Sequence, residues 1–372
     1  MKMTFVGYNS VDHGGGGETW LRDVTSRLSS RHSISIIAPP SETGRTAIGD
    51  ELRSLGIEIN EIGYVDGTSF PSPRSLHRMA GVLSSSDVVY FNYATGGLEI
   101  AMFALQKIIS FPMVAGHHLI MNRRFFGGSM PSSRESYYRI FGFRGDRIAR
   151  RMPAHHVLNR ETEKDLLSRG YRNVHRIPNG VDSSSFSPSK KFDKFTILFL
   201  GRLVEQKGAD ILPDFYREIS TAVDDFDFVI AGSGEYQNVL RKQLHDDRVS
   251  MPGFVDEKRK RELLSRSHLL LLPSRYEMFP ITALEALSSG TPVVSSNIMG
   301  TGEYLVPGVN GFLASSATEM AQKTAELYGM YADDRYAELS ERCRRSAEPF
   351  DIGVVAKRIE EMLLQIASSS AQ

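Results

Sequence analysis

Two cations and two carboxylates are spaced so that they could bind a doubly charged anion together with hydroxyl groups. Arg202 and Lys207 lie in a glycine-bounded loop, GRLVEQKG, that follows an apolar run. Glu277 and Glu285 flank the start of a helix in EMFPITALE, where Pro280 suits the first helical turn. Cations and the free amides of a helix N-terminus bind phosphate, and carboxylates accept hydrogen bonds from hydroxyls. The spacing predicts a site for a diphosphate that carries a sugar.

Each of these charges also has a simpler interpretation, because charged side chains are mostly solvated on protein surfaces. The places of these residues in the sequence nevertheless favour a role in ligand binding. The loop of Arg202 and Lys207 follows the strand-like run 196–200, and a second glycine turn, Gly232-Ser-Gly234, follows the next run. Ligands of open parallel sheets bind beyond the carboxyl ends of the strands, so both turns are expected at one binding edge.

A run of glycines in the first half predicts a second ligand-contacting loop. Gly15, Gly16 and Gly17 follow the first predicted strand and open the first predicted helix. Glycines let a backbone approach a ligand closely, although a flexible surface turn is the alternative interpretation. Asp12 and His13 precede the run.

Two adjacent histidines end the fifth predicted strand, 113–117, on the expected binding side. An imidazole at this edge could contact a ligand, which makes His117 and His118 candidate site residues. Packing alone explains a histidine at a strand end equally well.

The scaffold for these residues is predicted by apolar runs that alternate with segments of helical period. This alternation predicts an α/β fold with two doubly wound, Rossmann-like parallel-sheet domains that face a central cleft. We expect an acceptor-binding domain over 1–185, a nucleotide-sugar donor-binding domain over 186–350, and a helix over 351–372 that packs back towards the first domain. The predicted strands are 4–7, 34–38, 57–62, 88–92, 113–117, 155–158, 174–178, 196–200, 228–231, 249–251, 269–273 and 292–295.

Composition narrows the classes of function. The 372 residues exceed what one hydrophobic core usually supports, and the equal totals of 44 basic and 44 acidic residues argue against a general nucleic-acid binder. The single cysteine, Cys343, suits a reducing cytosol, and no apolar run reaches the roughly 18 residues that span a bilayer. We expect a cytoplasmic protein, with a peripheral position on the inner face of the membrane as an alternative.

The motifs, in their order, resemble the donor domain of family 4 retaining glycosyltransferases (glycosyl transferases group 1), which have the GT-B fold. The resemblance is dense over residues 179–312 and rests on GRLVEQKG, GSGE, PGFV, the E-x7-E segment, SSGTPVVSS and PGVNGF. IPNGVD, the glycine loop and the strand-end histidine match more loosely. The resemblance implies a UDP-, GDP- or ADP-sugar as donor substrate, retention of the anomeric configuration, and no metal or other cofactor.

The resemblance also implies a role for each candidate. Arg202 and Lys207 would hold the phosphates, Glu277 the hydroxyls of the transferred sugar, and Glu285 the ribose hydroxyls. Counting from Pro112, His118 would contact the donor sugar near the reacting carbon, with His117 as the alternative. Asp12, His13 and His117 would be acceptor contacts. The remaining donor contacts would be the glycine loop, Gly232, Phe254, Val255, Met278, Phe279, Pro280 and Ile281. The family commonly has glycine where this chain has Met278.

The acceptor, expected to be a sugar, glycan or lipid-linked sugar, would bind the first half. Residues 122–151 carry eight arginines against Glu135 and Asp146, interleaved with aromatic residues. This stretch predicts contact with anionic lipid headgroups, and a solvated helix that buries its aromatic side chains is the alternative. Through residue 185 the chain has 22 basic and 17 acidic residues, and the remainder has 22 and 27, so the first domain is the basic one.

The predicted function is therefore sugar transfer to an acceptor hydroxyl in glycan, glycolipid or lipid-linked oligosaccharide synthesis. A nucleotide-sugar-binding protein without transfer activity and a nucleotide-sugar epimerase are the alternatives. Asp225-Phe-Asp227 matches the DxD motif of metal-dependent glycosyltransferases but precedes a predicted strand, at the edge away from the cleft. No metal site is predicted.

Overall fold

The structure, a computed structural model, describes residues 1–12, 15–41, 47–66, 68–92, 96–118, 147–333 and 335–369. The chain forms two compact units. The first unit comprises Met1–Asn179 together with Ile352–Gln372, and the second comprises Gly180–Asp351. The chain thus leaves the first unit at Asn179, ahead of the boundary at 185 that the sequence suggested.

The first unit is built on a seven-stranded sheet in the order β3-β2-β1-β4-β5-β6-β7, with parallel pairing. The central strands are almost wholly buried, as expected for a parallel sheet that is covered on both faces. The strands are β1 Lys2–Val6, β2 Ser33–Ala38, β3 Glu58–Glu61, β4 Val88–Asn92, β5 Met113–His117, β6 Ala154–Val157 and β7 Val174–Arg176.

Within the described residues, helices lie between most of the strands of the first unit. They are α1 Gly16–Leu28, α2 Ala47–Ser54, α3 Pro73–Ser84, α4 Gly97–Ile109, α5 Arg160–Ser168 and, from the end of the chain, α12 Ile352–Ser369. Helix α1 buries Trp20, Leu21, Val24 and Leu28, which recur at helical spacing. Helix α12 packs against α1, β4 and β5, and Glu360 accepts a hydrogen bond from Arg31 at 2.7 Å.

The second unit contains a six-stranded sheet in the order β10-β9-β8-β11-β12-β13, again with parallel pairing. Five of its strands were predicted, and β13 was missed. Its strands are β8 Phe195–Leu200, β9 Phe226–Ala231, β10 Val249–Gly253, β11 Leu269–Leu272, β12 Val293–Ser296 and β13 Gly311–Ala314. Its helices are α6 Leu212–Ala222, α7 Gln237–Gln243, α8 Glu257–Arg266, α9 Ile281–Ser288, α10 Ala317–Ala332 and α11 Tyr336–Ala347.

Some sequence predictions fall outside the described residues. These are His13, Gly14 and residues 122–146 of the basic aromatic stretch, so contact with a membrane stays a prediction. Among the helices that the structure describes, none is both long and apolar enough to cross a bilayer.

Candidate active site

The loop after β8 carries Arg202 and Lys207 and is held against the end of β11. A short 3-10 helix, Glu205–Lys207, ends at Gly208, which has a φ of 72°. A side-chain carbon at Gly208 would lie 2.1 Å from the carbonyl oxygen of Pro273, so only glycine permits this approach. The close packing brings the end of the first loop beside the loop that follows β11.

Lys207 and Glu277 meet at this junction. The Lys207 ammonium forms an ion pair with Oε1 of Glu277, and Ser274 Oγ donates a hydrogen bond to the same oxygen at 3.0 Å. The Glu277 side chain is only 12% exposed. Within the described part of the chain, Oε2 makes no hydrogen bond, so it can accept one from a ligand hydroxyl.

The Arg202 side chain has other contacts than the Lys207 side chain. Its Nη2 donates to Gln206 Oε1 at 3.3 Å, and Gln206 donates from Nε2 to the Tyr276 carbonyl at 3.3 Å. The Arg202 side chain remains exposed. The structure therefore brings Lys207 into contact with Glu277, whereas Arg202 lies on the surface of the same loop.

Helix α9 begins at Ile281, four residues after Glu277, with Pro280 as its N-cap. The side chains of Met278, Phe279 and Ile281 are buried, so this segment offers backbone groups and not side chains to a ligand. Proline has no side-chain oxygen to cap the first helical amides, and the Ala283 amide donates to the Pro280 carbonyl at 3.2 Å. The Ile281 and Thr282 amides are therefore the ones that could bind an anion. Tyr276 donates from its hydroxyl to the Met278 sulfur at 2.9 Å, which fixes the residue that departs from the family pattern.

Glu285 lies in the interior of α9, and its carboxylate accepts a hydrogen bond from Lys260 at 2.8 Å. Lys260, on α8, also pairs with Glu257 at 3.0 Å. Burial lowers the pKa of Lys260, but the two carboxylates outweigh it and raise the pKa above its usual value. Glu285 is therefore held as a buried, paired carboxylate, and Lys260 is a neighbour that the sequence did not reveal.

The turns after β9 and β10 lie beside the loop of Arg202. Gly232 has a φ of 142°, and a side-chain carbon there would lie 1.8 Å from the carbonyl oxygen of Gly201. Gly232 also donates to the Gly253 carbonyl at 2.8 Å. Phe254 follows with its side chain 81% exposed, and Val255 is half-buried. An exposed phenyl ring next to a strand end could stack on a planar base.

In the first unit, Gly15 is the N-cap of α1, and Gly16 and Gly17 form its first turn. A side-chain carbon at Gly17 would lie 3.5 Å from Asn92 Nδ2, at the end of β4. Asp12 accepts a hydrogen bond from the Gly49 amide at 3.1 Å and lines a cavity of about 330 Å³. Arg53 and Glu61 also line this cavity.

The two histidines at the end of β5 have different surroundings. His117 is only 2% exposed, and its Nε2 lies 3.1 Å from Nδ1 of His155, so its tentative assignment as an acceptor contact does not fit its burial. His118 is half-buried, packs on Trp20 at 4.4 Å between ring centroids, and has Nε2 at 2.8 Å from the Tyr90 hydroxyl. Burial, followed by neighbouring histidines, lowers the pKa of both imidazoles well below the usual value, so both are neutral at pH 7.

Both aspartates of the DxD-like sequence form ion pairs with a lysine. Lys194 pairs with Asp225 at 3.3 Å and with Asp227 at 3.2 Å at the start of β9, opposite the binding edge. Within the described ranges, no cluster of three or more histidine, cysteine or carboxylate side chains is arranged to hold a metal ion.

The second unit is similar in sequence to a known family. Residues 181–348 match the family model described as Glycosyl transferases group 1. All the candidate residues of the second unit, from Arg202 to Glu285, lie within this range. The part of the chain that carries these candidate residues is therefore similar to glycosyl transferases group 1.

Two curated proteins illustrate the sequence relationship. The chain is similar to a component of the Homo sapiens phosphatidylinositol N-acetylglucosaminyltransferase, with 37% identity over 136 residues, 35% of this chain and 28% of the relative. It is also similar to glycogen synthase of Mycobacterium tuberculosis, with 28% identity over 209 residues, 54% of this chain and 50% of the relative. The chain thus spans half or less of the length of these relatives.

Solved structures show the same fold over nearly the whole chain. Anabaena HepE in complex with UDP and glucose has a TM-score of 0.77 at 20% identity and covers 98% of this chain and 100% of that one. Sucrose-phosphate synthase from Thermosynechococcus elongatus has a TM-score of 0.76 at 15% identity, with 99% and 100% covered. The predicted fold of two parallel-sheet α/β units of the GT-B type is confirmed.

Proposed function

We propose that this chain is a retaining, metal-independent glycosyltransferase that moves a sugar from a nucleoside diphosphate to an acceptor hydroxyl. The proposal rests mainly on the surroundings of the Glu277 carboxylate. Lys207 and Ser274 hold one of its oxygens, its second oxygen is available, and helix α9 begins four residues later, at Ile281. A carboxylate next to an anion-binding helix end suits a ligand with hydroxyls on one side and phosphates on the other.

The proposed reaction needs stabilisation of negative charge and no side-chain nucleophile. The bond from the anomeric carbon to the diphosphate oxygen breaks, and the nucleoside diphosphate leaves with the electron pair. The acceptor oxygen bonds to the same face of the sugar, and its proton passes to the departing phosphate. Lys207, Arg202 and the first amides of α9 would stabilise the leaving diphosphate, as preorganised cations and dipoles do.

The decisive experiment measures transfer directly. The full chain is incubated with UDP-, GDP- and ADP-sugars and with sugar and lipid-linked acceptors, in EDTA and in Mg²⁺. UDP-glucose and UDP-N-acetylglucosamine are tried first, because HepE was crystallised with UDP-glucose and the human relative is part of an N-acetylglucosaminyltransferase. We expect transfer in EDTA and a product with the anomeric configuration of the donor. An inverted product, or transfer only with metal, would contradict the mechanism.

The role of Glu277 is tested with a matched pair of variants. Glu277→Gln should lower the rate of transfer on the order of a hundredfold, because the amide keeps the shape but loses the charge at the site. Glu262→Gln removes an ion-paired carboxylate from the surface of α8, where Glu262 contacts Arg259 and Arg266, and should leave the rate unchanged. Donor binding by the wild type without transfer would favour a binding protein, and a change of the sugar's configuration without transfer would favour an epimerase.

A further inference from the structure

Three polar rings form a continuous hydrogen-bonded row across β4, β5 and β6 of the first unit. The Tyr90 hydroxyl lies 2.8 Å from His118 Nε2 and 2.6 Å from His156 Nδ1. His156 Nε2 lies 2.7 Å from the carbonyl oxygen of Ile177. The row therefore starts at a backbone carbonyl and ends at His118, the histidine that is half-buried.

The row exists because β5 has a glycine in the gap between its two neighbours. Gly116 pairs with Asn92 on β4 and with His156 on β6 in the register of the sheet. A side-chain carbon at Gly116 would lie 1.9 Å from the Tyr90 hydroxyl oxygen. The missing side chain leaves the space through which Tyr90 reaches across β5 to His156.

The backbone carbonyl fixes the direction of every hydrogen bond in the row. The Ile177 oxygen can only accept, so His156 donates from Nε2. A neutral imidazole carries one proton, so His156 Nδ1 must accept, and the donor is the Tyr90 hydroxyl. The Tyr90 oxygen can then only accept from His118, which donates from Nε2. This places the proton of His118 on Nε2 and leaves its Nδ1 as an acceptor.

These hydrogen-bond directions require neutral histidine rings, and burial keeps the rings neutral. Burial, partly offset by the bond to Ile177, lowers the pKa of His156 to about 4, and burial raises the pKa of Tyr90. Trp20 packs on His118 and on Tyr90, with ring centroids 4.4 and 4.9 Å apart, and so limits rotation of the His118 ring.

The geometry assigns Tyr90 and His156 as positioning residues that hold His118 in its Nε2–H tautomer and leave Nδ1 as the acceptor for a ligand hydroxyl. This assignment rests on the proposed function for the identity of the ligand. The tautomer itself depends only on the row of rings. Sugar hydroxyls that donate to Nδ1 are selected, and a sugar that lacks the donating hydroxyl loses the contact.

The tautomer can be measured without any substrate. The full chain is prepared with 15N-labelled histidine, and a long-range 1H–15N spectrum at pH 7.5 identifies which ring nitrogen of each histidine carries the proton. His118→Gln assigns the His118 signals. We expect the Nε2–H form for His118 and for His156 in the wild type. An Nδ1–H form or a charged imidazolium at His118 would overturn the assignment, whether or not the protein transfers sugar.

Tyr90→Phe removes only the hydroxyl that links the two histidines. We expect the His118 signals to move towards a mixture of tautomers. Tyr64→Phe is the control, because the buried Tyr64 hydroxyl lies in the same unit and has no hydrogen-bond partner in the described part of the chain. It should leave the His118 signals unchanged. Unchanged His118 signals in Tyr90→Phe would show that the hydroxyl does not set the tautomer.

Kinetic measurements distinguish a positioning role of Tyr90 from a purely structural role. Tyr90→Phe should lower kcat for sugar transfer about tenfold, roughly the value of one hydrogen bond, and change KM for the donor much less. In a His118→Gln background the same substitution should have no further effect on kcat. A tenfold loss in both backgrounds would mean that Tyr90 acts through stability, and the assignment would fail. Absence of transfer by the wild type would contradict the proposed function and leave the spectroscopic result standing.

Discussion

The buried histidines of the first unit should make its stability depend on pH. Burial lowers the pKa of His155 and His156 to about 4, below the value of about 6.5 for an unfolded chain. Between these values the unfolded chain binds more protons, so the histidine contribution to the free energy of unfolding falls as pH falls from about 6.5 towards 4, and this contribution is constant above that window. Each neutral histidine contributes a slope of about 1.4 kcal/mol per pH unit.

The measurement is urea unfolding between pH 5 and pH 7, followed by tryptophan fluorescence. The only tryptophan of the chain is Trp20, which lies in the first unit beside His118 and Tyr90. His156→Gln should reduce the slope by roughly one histidine's share. His77→Gln, on the exposed surface of α3, should leave it unchanged. Equal slopes in the wild type and His156→Gln would contradict the prediction.

At the scale of residues, the sequence predicted the site residues that lie just after the end of a strand. It did not predict the contacts that depend on how two elements pack together. Lys207 and Glu277 were both placed at carboxyl ends of strands, and they meet. The pairing of Glu285 with Lys260 could not be predicted, because it depends on how α8 packs against α9. The link from Tyr90 to His156 depends on the register of three strands, which no local pattern determines.

At the scale of elements, the glycine after β9 is the position where three strand ends pack together. In Gly232→Ala, the added carbon would lie 1.8 Å from the Gly201 carbonyl oxygen, and the backbone would have to move. We expect a loss of about 3 kcal/mol in the free energy of unfolding of the second unit. Gly253→Ala is the matched control, with a φ of 79° but no atom within 4 Å, and should cost about 1 kcal/mol.

This comparison is measured by circular dichroism during thermal unfolding, because the second unit contains no tryptophan. If the two alanine variants were equally stable, close approach of the backbones would not be the reason for glycine at residue 232.

Helix α12 offers a second comparison at this scale, because two adjacent leucines face different surroundings. Leu363 is completely buried, and Leu364 is 39% exposed. Leu363→Ala should destabilise the first unit by about 2–5 kcal/mol, and Leu364→Ala should change its stability by less than about 0.5 kcal/mol. Trp20 fluorescence reports this unfolding, because α12 packs on α1. Similar effects of the two substitutions would show that the helix is not docked as described.

The elements that the sequence predicted are those with strong periodicity. The runs at the centres of both sheets are apolar and bounded by turns, and their strands lie close to the predicted bounds. Strand β13 was missed because its four residues, GFLA, begin inside the PGVNGF motif and show no pattern of their own. It is recognised only from its pairing with β12, where Val293 lies opposite Gly311.

At the scale of the whole molecule, the first unit is built from two distant parts of the chain. Its sheet ends at β7, yet α12 lies after the whole of the second unit and packs on α1, β4 and β5. The second unit, by contrast, is one continuous segment, Gly180–Asp351, with its own buried sheet. The two units should therefore differ in whether they can fold alone.

A fragment of residues 180–351 should fold by itself, whereas a fragment of residues 1–179 should not reach native stability without α12. The side chains that α12 buries are Ile352, Val355, Ala356, Ile359, Met362, Leu363 and Ile366. At roughly 1.5–3 kcal/mol for each large apolar side chain, their loss is on the order of 10 kcal/mol, similar to the whole stability of a domain. A peptide of residues 352–372 added to the first fragment should restore cooperative unfolding by Trp20 fluorescence, and the same peptide with Ile359→Asp should not. The fragment of residues 1–179 could instead unfold cooperatively by itself, with the stability that the first unit has in the full chain. This result would contradict the prediction, because α12 would then not contribute to the stability of the first unit.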